Sequence, residues 1–367
     1  MTSTASLAQI AAFRLRVDDV LITKDSETAG DIGIATYVRA TSPDLVCGYH
    51  LAMLRPDRAL LDGRYLYWFM SSTAARDQLS TSATGVTRFG LRTESIEGVQ
   101  VPLPFLATQR TIADYLDTET ARIDAHITKK QRLAQILRAR EKAHVSELWE
   151  ASAARWGTSR LGRSLVRMEQ GWSPQCEDRV AEPSEFGVIK AGCVNGGQFR
   201  GSKQKALPPD TPPRLEYILH PGDLLVSRAS GSLDLIGSAA VVPDHAPPNL
   251  LLCDKVYRLG AGPEMEAEFL ALMLRAHPVR EEIKLGVSGA EGMANSLPSG
   301  VVRSLPIPAA PTSKQREMVC TSRAFAVRTG CIVHGLERSI TLLREHRQAL
   351  ITAAVTGELP VPRSISA

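Results

Sequence analysis

Hydrophobic positions in this chain follow two rhythms that alternate and then repeat. From Gln109 to about Trp149 there is no Gly and no Pro. Within that stretch Ile112, Leu116, Ile123, Ile127, Leu137 and Leu148 return at roughly helical intervals. About 40 uninterrupted helical residues would extend about 60 Å, more than the width of a small domain. A helix of that length needs a partner for its apolar stripe. A second stretch, Gln315 to Val355, supplies one. There Val333, Leu336, Ile340, Leu343, Leu350 and Ala354 keep the three-four alternation of a coiled-coil seam, with Arg347 as a polar interruption.

The two stretches are copies. Gln109-Arg110 precedes Leu137-Arg138 by 28 residues, and Gln315-Arg316 precedes Leu343-Arg344 by the same 28. Each follows a proline run, Val101-Pro102-Leu103-Pro104 and Leu305-Pro306-Ile307-Pro308. Unrelated surface helices would not share both spacing and lead-in.

The second rhythm is short and strand-like. Asp19-Val20-Leu21-Ile22-Thr23-Lys24 predicts a strand ending in a polar-basic pair, and Ile32-Gly33-Ile34-Ala35 a turn into another. Leu45, Cys47, Tyr49, Leu51 and Met53 alternate as in a half-buried strand. Residues 63 to 79 predict one helix with Leu66, Phe69 and Met70 on a single face. The set returns 204 residues later as Asp223 to Arg228, Ile236-Gly237 and Phe269, Leu270, Met273 and Leu274, while LLLCDKVYRL at 250–259 repeats the cysteine-bearing strand. Gly289 answers Gly85.

The expected fold is therefore α+β, with strands around 19–24, 45–55, 223–229 and 250–259 and no regular strand–helix alternation of a nucleotide fold. The predicted order is globular unit 1–106, helix 107–153, globular unit 154–310, helix 311–360 and a disordered tail 361–367. The copies are unequal: 67 residues run from Trp156 to Asp223, against 18 before Asp19. The first unit reads as shortened by about 50 residues, through a late start or a deletion.

Composition narrows this only modestly. In 367 residues, 44% hydrophobic content suffices for two cores, and a net charge of +4 permits an anionic partner if the cations share a face. Cys47, Cys176, Cys193, Cys253, Cys320 and Cys331 form no C-x-x-C pair and read as reduced, mostly buried thiols, without a metal site. No apolar run of membrane-spanning length or signal peptide is seen, so a cytoplasmic protein is expected. Phosphate-loop, zinc-protease and serine-hydrolase motifs are missing, and Gly286, Gly289 and Gly292 follow a helix rather than a strand, which disfavours a cofactor cradle. No catalytic residue is assigned.

Several of these runs resemble a known family. GWSPQCED, KAGCVNGGQFR, GDLLVSRASGS, LLLCDKVYRL and SGAEGMANSLPSG, with VCGYHLAMLRP and GVTRFGL in the first unit, are similar to target recognition domains of DNA specificity subunits from type I restriction–modification systems. PLPFLATQRTIADYLDTETARIDAHI and LREHRQALITAAVTGEL resemble that family's spacer helices. The resemblance implies two target recognition domains separated by two long antiparallel coiled-coil helices. It also implies a non-catalytic chain that reads a bipartite site on double-stranded DNA. Two modification subunits using S-adenosylmethionine would dock on it, and a restriction subunit hydrolysing ATP with Mg can join. No cofactor is expected on this chain itself.

Three loop groups are the candidate DNA contacts. The first is Lys190, Asn195, Arg200, Lys203 and Lys205, where glycines allow close backbone approach and cations can meet phosphate. The second is Ser227-Arg228, with Ser230 and Ser232 beyond, mirrored by Thr23-Lys24. The third is Asn295-Ser296, mirrored by Thr87-Arg88. Arg suits guanine and Asn adenine through paired hydrogen bonds. For any one cation the alternative is a solvated surface charge. Asp19 and Asp223 read as strand-lead residues, and Trp156, Trp172 and Tyr257 as core. Arg347 could face a partner subunit or an acid on the opposing helix. The competing function is a scaffold or decayed subunit that docks modification subunits but reads one half-site, and a third reading pairs the shortened chain with another copy.

Overall fold

A short central strand organises each globular unit, because its alternating side chains need a core on at least one face. The computed structural model describes residues 6–82, 85, 88–287 and 295–361, apart from the Ala29 side chain. The chain divides into two compact units, Met1–Leu133 with Gly335–Ala367, and Ala134–His334. Each long helix contributes a segment to each unit.

In unit one, Val20–Thr23 lies between antiparallel strands Ala35–Tyr37 and Leu51–Leu54. Val20 and Ile22 point into a core with Tyr65, Leu66, Phe69 and Met70. The last four belong to helix Gly63–Met70, whose first amides are accepted by the Asp62 carboxylate. The single helix expected over 63–79 is in fact two. Ser72 interrupts it, and its hydroxyl accepts the Ala75 N–H at 3.3 Å to start Thr73–Ser80. The strand expected over 45–55 is also shorter. Leu51 N–H closes a turn on the Gly48 carbonyl at 3.1 Å, which carries Tyr49 out into solvent.

Unit two repeats this sheet and enlarges it. Its order is Ala239–Val241, Leu224–Ser227, Val256–Ala261 and Leu165–Gln170, all antiparallel. A second sheet places Gly187–Ile189 between parallel Leu250–Leu251 and antiparallel Gln204–Ala206. The strand expected over 250–259 is thus divided between two sheets, with a turn at Cys253–Lys255 where Val256 N–H meets the Cys253 carbonyl. Among the described residues of unit one no counterpart of this second sheet occurs. Its strands Gly187–Ile189 and Gln204–Ala206 come from the long segment ahead of Asp223.

The duplication is physical as well as textual. Gly33 and Gly237 both have positive φ (+75° and +71°), and a Cβ on either would lie 2.7 Å from Leu79 Cδ1 or Ile283 Cδ1. Each turn needs glycine for conformation and for space.

The long helices are Leu106–Trp156 and Thr312–Thr356. The first therefore overruns the predicted boundary at 153, stopping where Gly157 adopts φ +72° and its N–H returns to the Ala153 carbonyl. Gly357 (φ +82°) ends the second. In unit one, Ile112 and Leu116 share a core with Ile351, Ala354 and Val355, while Ile123 and Ile127 meet Ile340. Rising numbers on one helix face falling numbers on the other, so the pair is antiparallel. Unit two keeps the same sense: His144 stacks on Phe325, and Ser152 meets Met318. Arg347 faces an acid, its Nε 3.0 Å from Asp124 Oδ1. Only Cys193 and Cys253 of the six cysteines are buried. Cys320 and Cys331 lie on the outer face of the second helix, and all six are free thiols. Val361 is partly buried against the unit-one core, and the rest of the tail expected to be disordered lies outside the described residues. No described helix is long and apolar enough to cross a membrane.

Gln109 and Gln315 explain their own repetition. Gln109 Oε1 accepts the Asp62 N–H at 2.8 Å, and its Nε2 donates to the Leu60 and Pro104 carbonyls at 2.9 and 2.8 Å. Gln315 does the same with Glu266 N–H, Glu264 O and Ala310 O at 2.9, 3.0 and 2.7 Å. Both side chains are fully buried. Gln315→Ala strands one donor and two acceptors, so a loss of about 2–4 kcal/mol is expected. Urea unfolding followed by tryptophan fluorescence measures it, and an unchanged midpoint contradicts this role for the amide.

Candidate nucleic-acid interface

The strand Leu224–Ser227 delivers Arg228 to one end of its sheet. Arg228 N–H donates to the Lys255 carbonyl and its own carbonyl accepts the Leu297 N–H, both at 2.8 Å. Its guanidinium donates to Tyr257 Oη and the Asp254 carbonyl, each at 3.2 Å. Beyond it, Ala229–Ser230 pairs antiparallel with Asn295–Ser296, setting Ser230 opposite Asn295. Ser232 N–H then donates to Ser230 Oγ at 3.2 Å. The second and third loop groups therefore converge on one ribbon.

Unit one builds the same backbone. Lys24 N–H donates to the His50 carbonyl at 3.0 Å, its carbonyl accepts the Leu91 N–H at 2.7 Å, and Asp25–Ser26 pairs with Phe89–Gly90. Lys24 thus stands where Arg228 does. Its ammonium lies 4.8 Å from the centre of the Tyr49 ring, which is 79% exposed. Arg88 donates to the Asp25 carboxylate at 3.1 Å, and His50 Nδ1 meets the same carboxylate oxygen. Thr87, its predicted companion, lies outside the described residues, as do Gly289 and Gly292.

The first loop group gathers on the second sheet of unit two. Along Gln204–Ala206 the first and last side chains are buried, so Lys203 and Lys205 take the outer face. Lys190 N–H donates to the Lys203 carbonyl at 2.8 Å, which joins the two runs. Asn195, half-buried, precedes Gly196 and Gly197 (φ +78° and +75°), after which exposed Arg200 returns its N–H to the Cys193 carbonyl at 2.7 Å. Two glycines at left-handed φ fold this loop tightly, and Cys193 is a buried structural turn. Sequence reasoning missed Asp178, whose carboxylate lies 3.1 Å from Lys190 Nζ and 3.2 Å from Lys205 Nζ. It also missed Tyr49, hidden in a run that alternates like a strand.

Ser227 differs from expectation. It is buried, because its strand is covered on both faces: Leu224 and Val226 enter one core and Leu225 the other. Its hydroxyl has no partner and no path to solvent, so the serine shapes the strand rather than the surface. Its counterpart Thr23 is half-buried.

At the other end of each central strand a carboxylate holds the turn. Asp19 accepts Arg16 N–H at 2.7 Å and the Arg55 guanidinium at 2.8 and 2.7 Å. Asp223 accepts His220 N–H at 2.9 Å and Arg258 at 3.2 Å. Arg258 is only 1% exposed and also meets Glu169 and the Glu216 and Ile218 carbonyls, so each nitrogen of the buried cation has an acceptor. Tyr257 is buried, its hydroxyl donating to the Leu297 carbonyl at 2.9 Å.

Several known proteins share this arrangement. Residues 2–137 match the family model described as "Type I restriction modification DNA specificity domain". The EcoKI specificity subunit of Escherichia coli is 22% identical over 94% of this chain and 76% of its own length. The StySPI specificity subunit of Salmonella potsdam is 21% identical over the same shares, 94% and 76%. The EcoEI specificity subunit of Escherichia coli is 29% identical over 46% of this chain, a stretch spanning only 29% of that relative. A chain from a structure describing complex assembly and conformational transition of the type I R-M system superposes with TM-score 0.74 at 18% identity, covering 94% of this chain and 83% of that one. The HsdS subunit from Thermoanaerobacter tengcongensis gives 0.55 at 16% identity, covering 94% and 82%. The solved structures speak for the fold: tandem α+β units carried on paired long helices. The chain therefore carries a type I restriction modification DNA specificity domain at residues 2–137 and is similar along most of its length to type I specificity subunits.

The Asp19 carboxylate generates a pH prediction. Burial by itself would raise its pKa, but the Arg55 guanidinium and the Arg16 N–H outweigh burial and hold it below the usual carboxylate value. A depressed folded pKa stabilises the protein above the unfolded value, near pH 4, and that contribution disappears as pH falls through the folded value. Asp19→Asn should lower the urea midpoint at pH 7 and flatten its dependence between pH 5 and pH 3. Parallel pH curves for the two proteins would exclude the linkage.

Proposed function

We propose that the chain reads a bipartite site on double-stranded DNA, one part with each globular unit, and takes no part in catalysis itself. The observation that carries this is the duplicated tip. Lys24 and Arg228 are set by the same pair of backbone hydrogen bonds, each beside a two-residue ribbon, while the side chains around them differ. Equivalent scaffolds with different tips suit two unlike half-sites. Phosphate contacts fall to Lys190, Arg200, Lys203 and Lys205. Base contacts fall to Arg228, Asn295 and Ser296 in unit two, and to Lys24 and Arg88 in unit one.

In this reading residues 1–106 and 154–310 hold the recognition domains and the long helices act as spacers. Exposed Val327 and Leu342 on the second helix give docked modification subunits apolar surface to cover. Two such subunits, carrying S-adenosylmethionine, would methylate adenine in each half-site, with a restriction subunit joining them in the cytoplasm. The absence of a second sheet among the described residues of unit one favours the competing reading, in which only unit two reads bases.

Methylome sequencing of cells expressing the chain with its modification subunit separates the two. A two-part methylated motif supports bipartite reading, and a one-sided motif supports the competitor. Lys190→Gln with Arg228→Gln should reduce the slope of log affinity against log salt by about 1–2. Unchanged binding and slope would remove these loops from the DNA face.

A further inference from the structure

Asp178 is placed by main-chain bonds on both of its sides. Glu177 N–H donates to the Ala206 carbonyl at 3.0 Å, and Ala206 N–H donates to the Arg179 carbonyl at 2.9 Å. Arg179 is itself held by Glu177 at 2.7 Å and by Glu185 at 2.6 and 2.8 Å. The residue between them is therefore fixed beside the outer face of strand Gln204–Ala206. One carboxylate oxygen, Oδ1, receives both Lys190 Nζ at 3.1 Å and Lys205 Nζ at 3.2 Å. Lys205 lies on strand Gln204–Ala206 and Lys190 directly follows its neighbour Gly187–Ile189, and both ammonium groups reach the one carboxylate oxygen. The Asp178 side chain is 75% exposed, so the shared oxygen sits where a phosphate oxygen arriving from solvent would sit.

We propose that Asp178 is a built-in stand-in for backbone phosphate, which occupies Lys190 and Lys205 until duplex DNA displaces it and so sets the sequence-independent affinity of this face. The inference rests on the DNA-recognition reading above. Hydrogen bonds from Lys190 and Lys205 hold the carboxyl below its usual range, so it is charged at neutral pH. An ion pair this exposed is weak, which makes it easy to exchange. Exchange still has a consequence. A phosphate meeting the two lysines finds their charge already partly neutralised, and the carboxylate that leaves them stays nearby and repels it. Contacts to base edges carry no such opposition, so the clamp weakens only the part of binding that is blind to sequence.

The test uses the full chain, a mixed-sequence duplex and a salt series. Asp178→Asn should tighten binding about 3- to 10-fold at low salt and steepen the slope of log affinity against log salt by about one. Asp210→Asn, an exposed acid of the same unit with no lysine partner among the described residues, adds the same charge and should change affinity less than about twofold. In a Lys190→Gln, Lys205→Gln background, Asp178→Asn should gain no more than Asp210→Asn. The proposal is overturned if Asp178→Asn gains no more than Asp210→Asn in the wild-type background, or if its gain survives loss of both lysines. Either result leaves the DNA-binding reading intact. Failure of the wild-type chain to bind duplex at any salt would remove that reading, and the clamp with it. Thermal unfolding of each variant confirms that folding is unchanged.

Discussion

A buried glutamine amide ties each long helix to the globular unit it follows. An amide offers one strong acceptor and two donors, and here all three are used on main-chain groups of two separate segments, Leu60 and Asp62 in one and Pro104 in the other. Hydrogen bonds are directional, so turning the helix by one residue would break all three together. The next residue reinforces the lock: Arg316 pairs with Glu266 at 2.7 Å, and Arg110 approaches Asp62 at 3.7 Å. Each acid lies at the N-cap of the following short helix. Helix and reading unit are thereby fixed in angle as well as position, which a chain meant to present two reading tips requires.

Above that lock, backbone and side chains follow different rules. The main-chain bonds at Lys24 and Arg228 match one for one, with His50 and Lys255 as corresponding acceptors and Leu91 and Leu297 as corresponding donors. The residues shown to the outside do not match. Unit one presents Lys24, Tyr49, His50 and Arg88, whereas unit two presents Arg228, Asp254, Lys255 and Asn295. Carboxylate–arginine pairs at the far end of each central strand repeat the pattern, with Arg55 and Arg258 reaching equivalent aspartates from non-equivalent positions. Constraint lies in the frame and freedom in the tip, as expected where one scaffold serves two different sequences.

Long periodic signals were the readable ones. The helical seam, including Val333, Ile340 and Ala354, could be found by counting, because dozens of residues contribute to one period. The tandem could be found because Gly33 and Gly237 need glycine for the same steric reason. Short-range competition was not readable. Ser72 splits a helix by offering its hydroxyl to the Ala75 amide, and nothing in the 63–79 pattern marks that as stronger than continuation. Residues 250–259 read as one strand by their likeness to the cysteine-bearing run, although the chain changes sheets within them. Ser227 opens a polar-looking run, yet two cores close over it. Asp178 and Arg258 escaped for a related reason: their partners are set by tertiary packing, and a lone Asp or Arg in sequence looks like any surface charge.

The charge on the candidate interface is arranged for exchange rather than display. With a net charge of only +4, the chain has little excess cation to spread over a face. The cations at the tips already have partners: Lys190 and Lys205 with Asp178, Arg88 with Asp25, Lys24 over Tyr49, and Arg228 with Tyr257 and Asp254. Beyond a Debye length of about 8–10 Å the Arg88–Asp25 pair looks nearly neutral, whereas the two lysines on Asp178 keep one net positive charge and Lys24 and Arg228, on uncharged partners, keep theirs. These pairings hold each side chain near one geometry, which lowers the entropy lost when a phosphate or a base edge replaces the internal partner. Under the proposed DNA-recognition reading, affinity depends on the fit of several such exchanges made together.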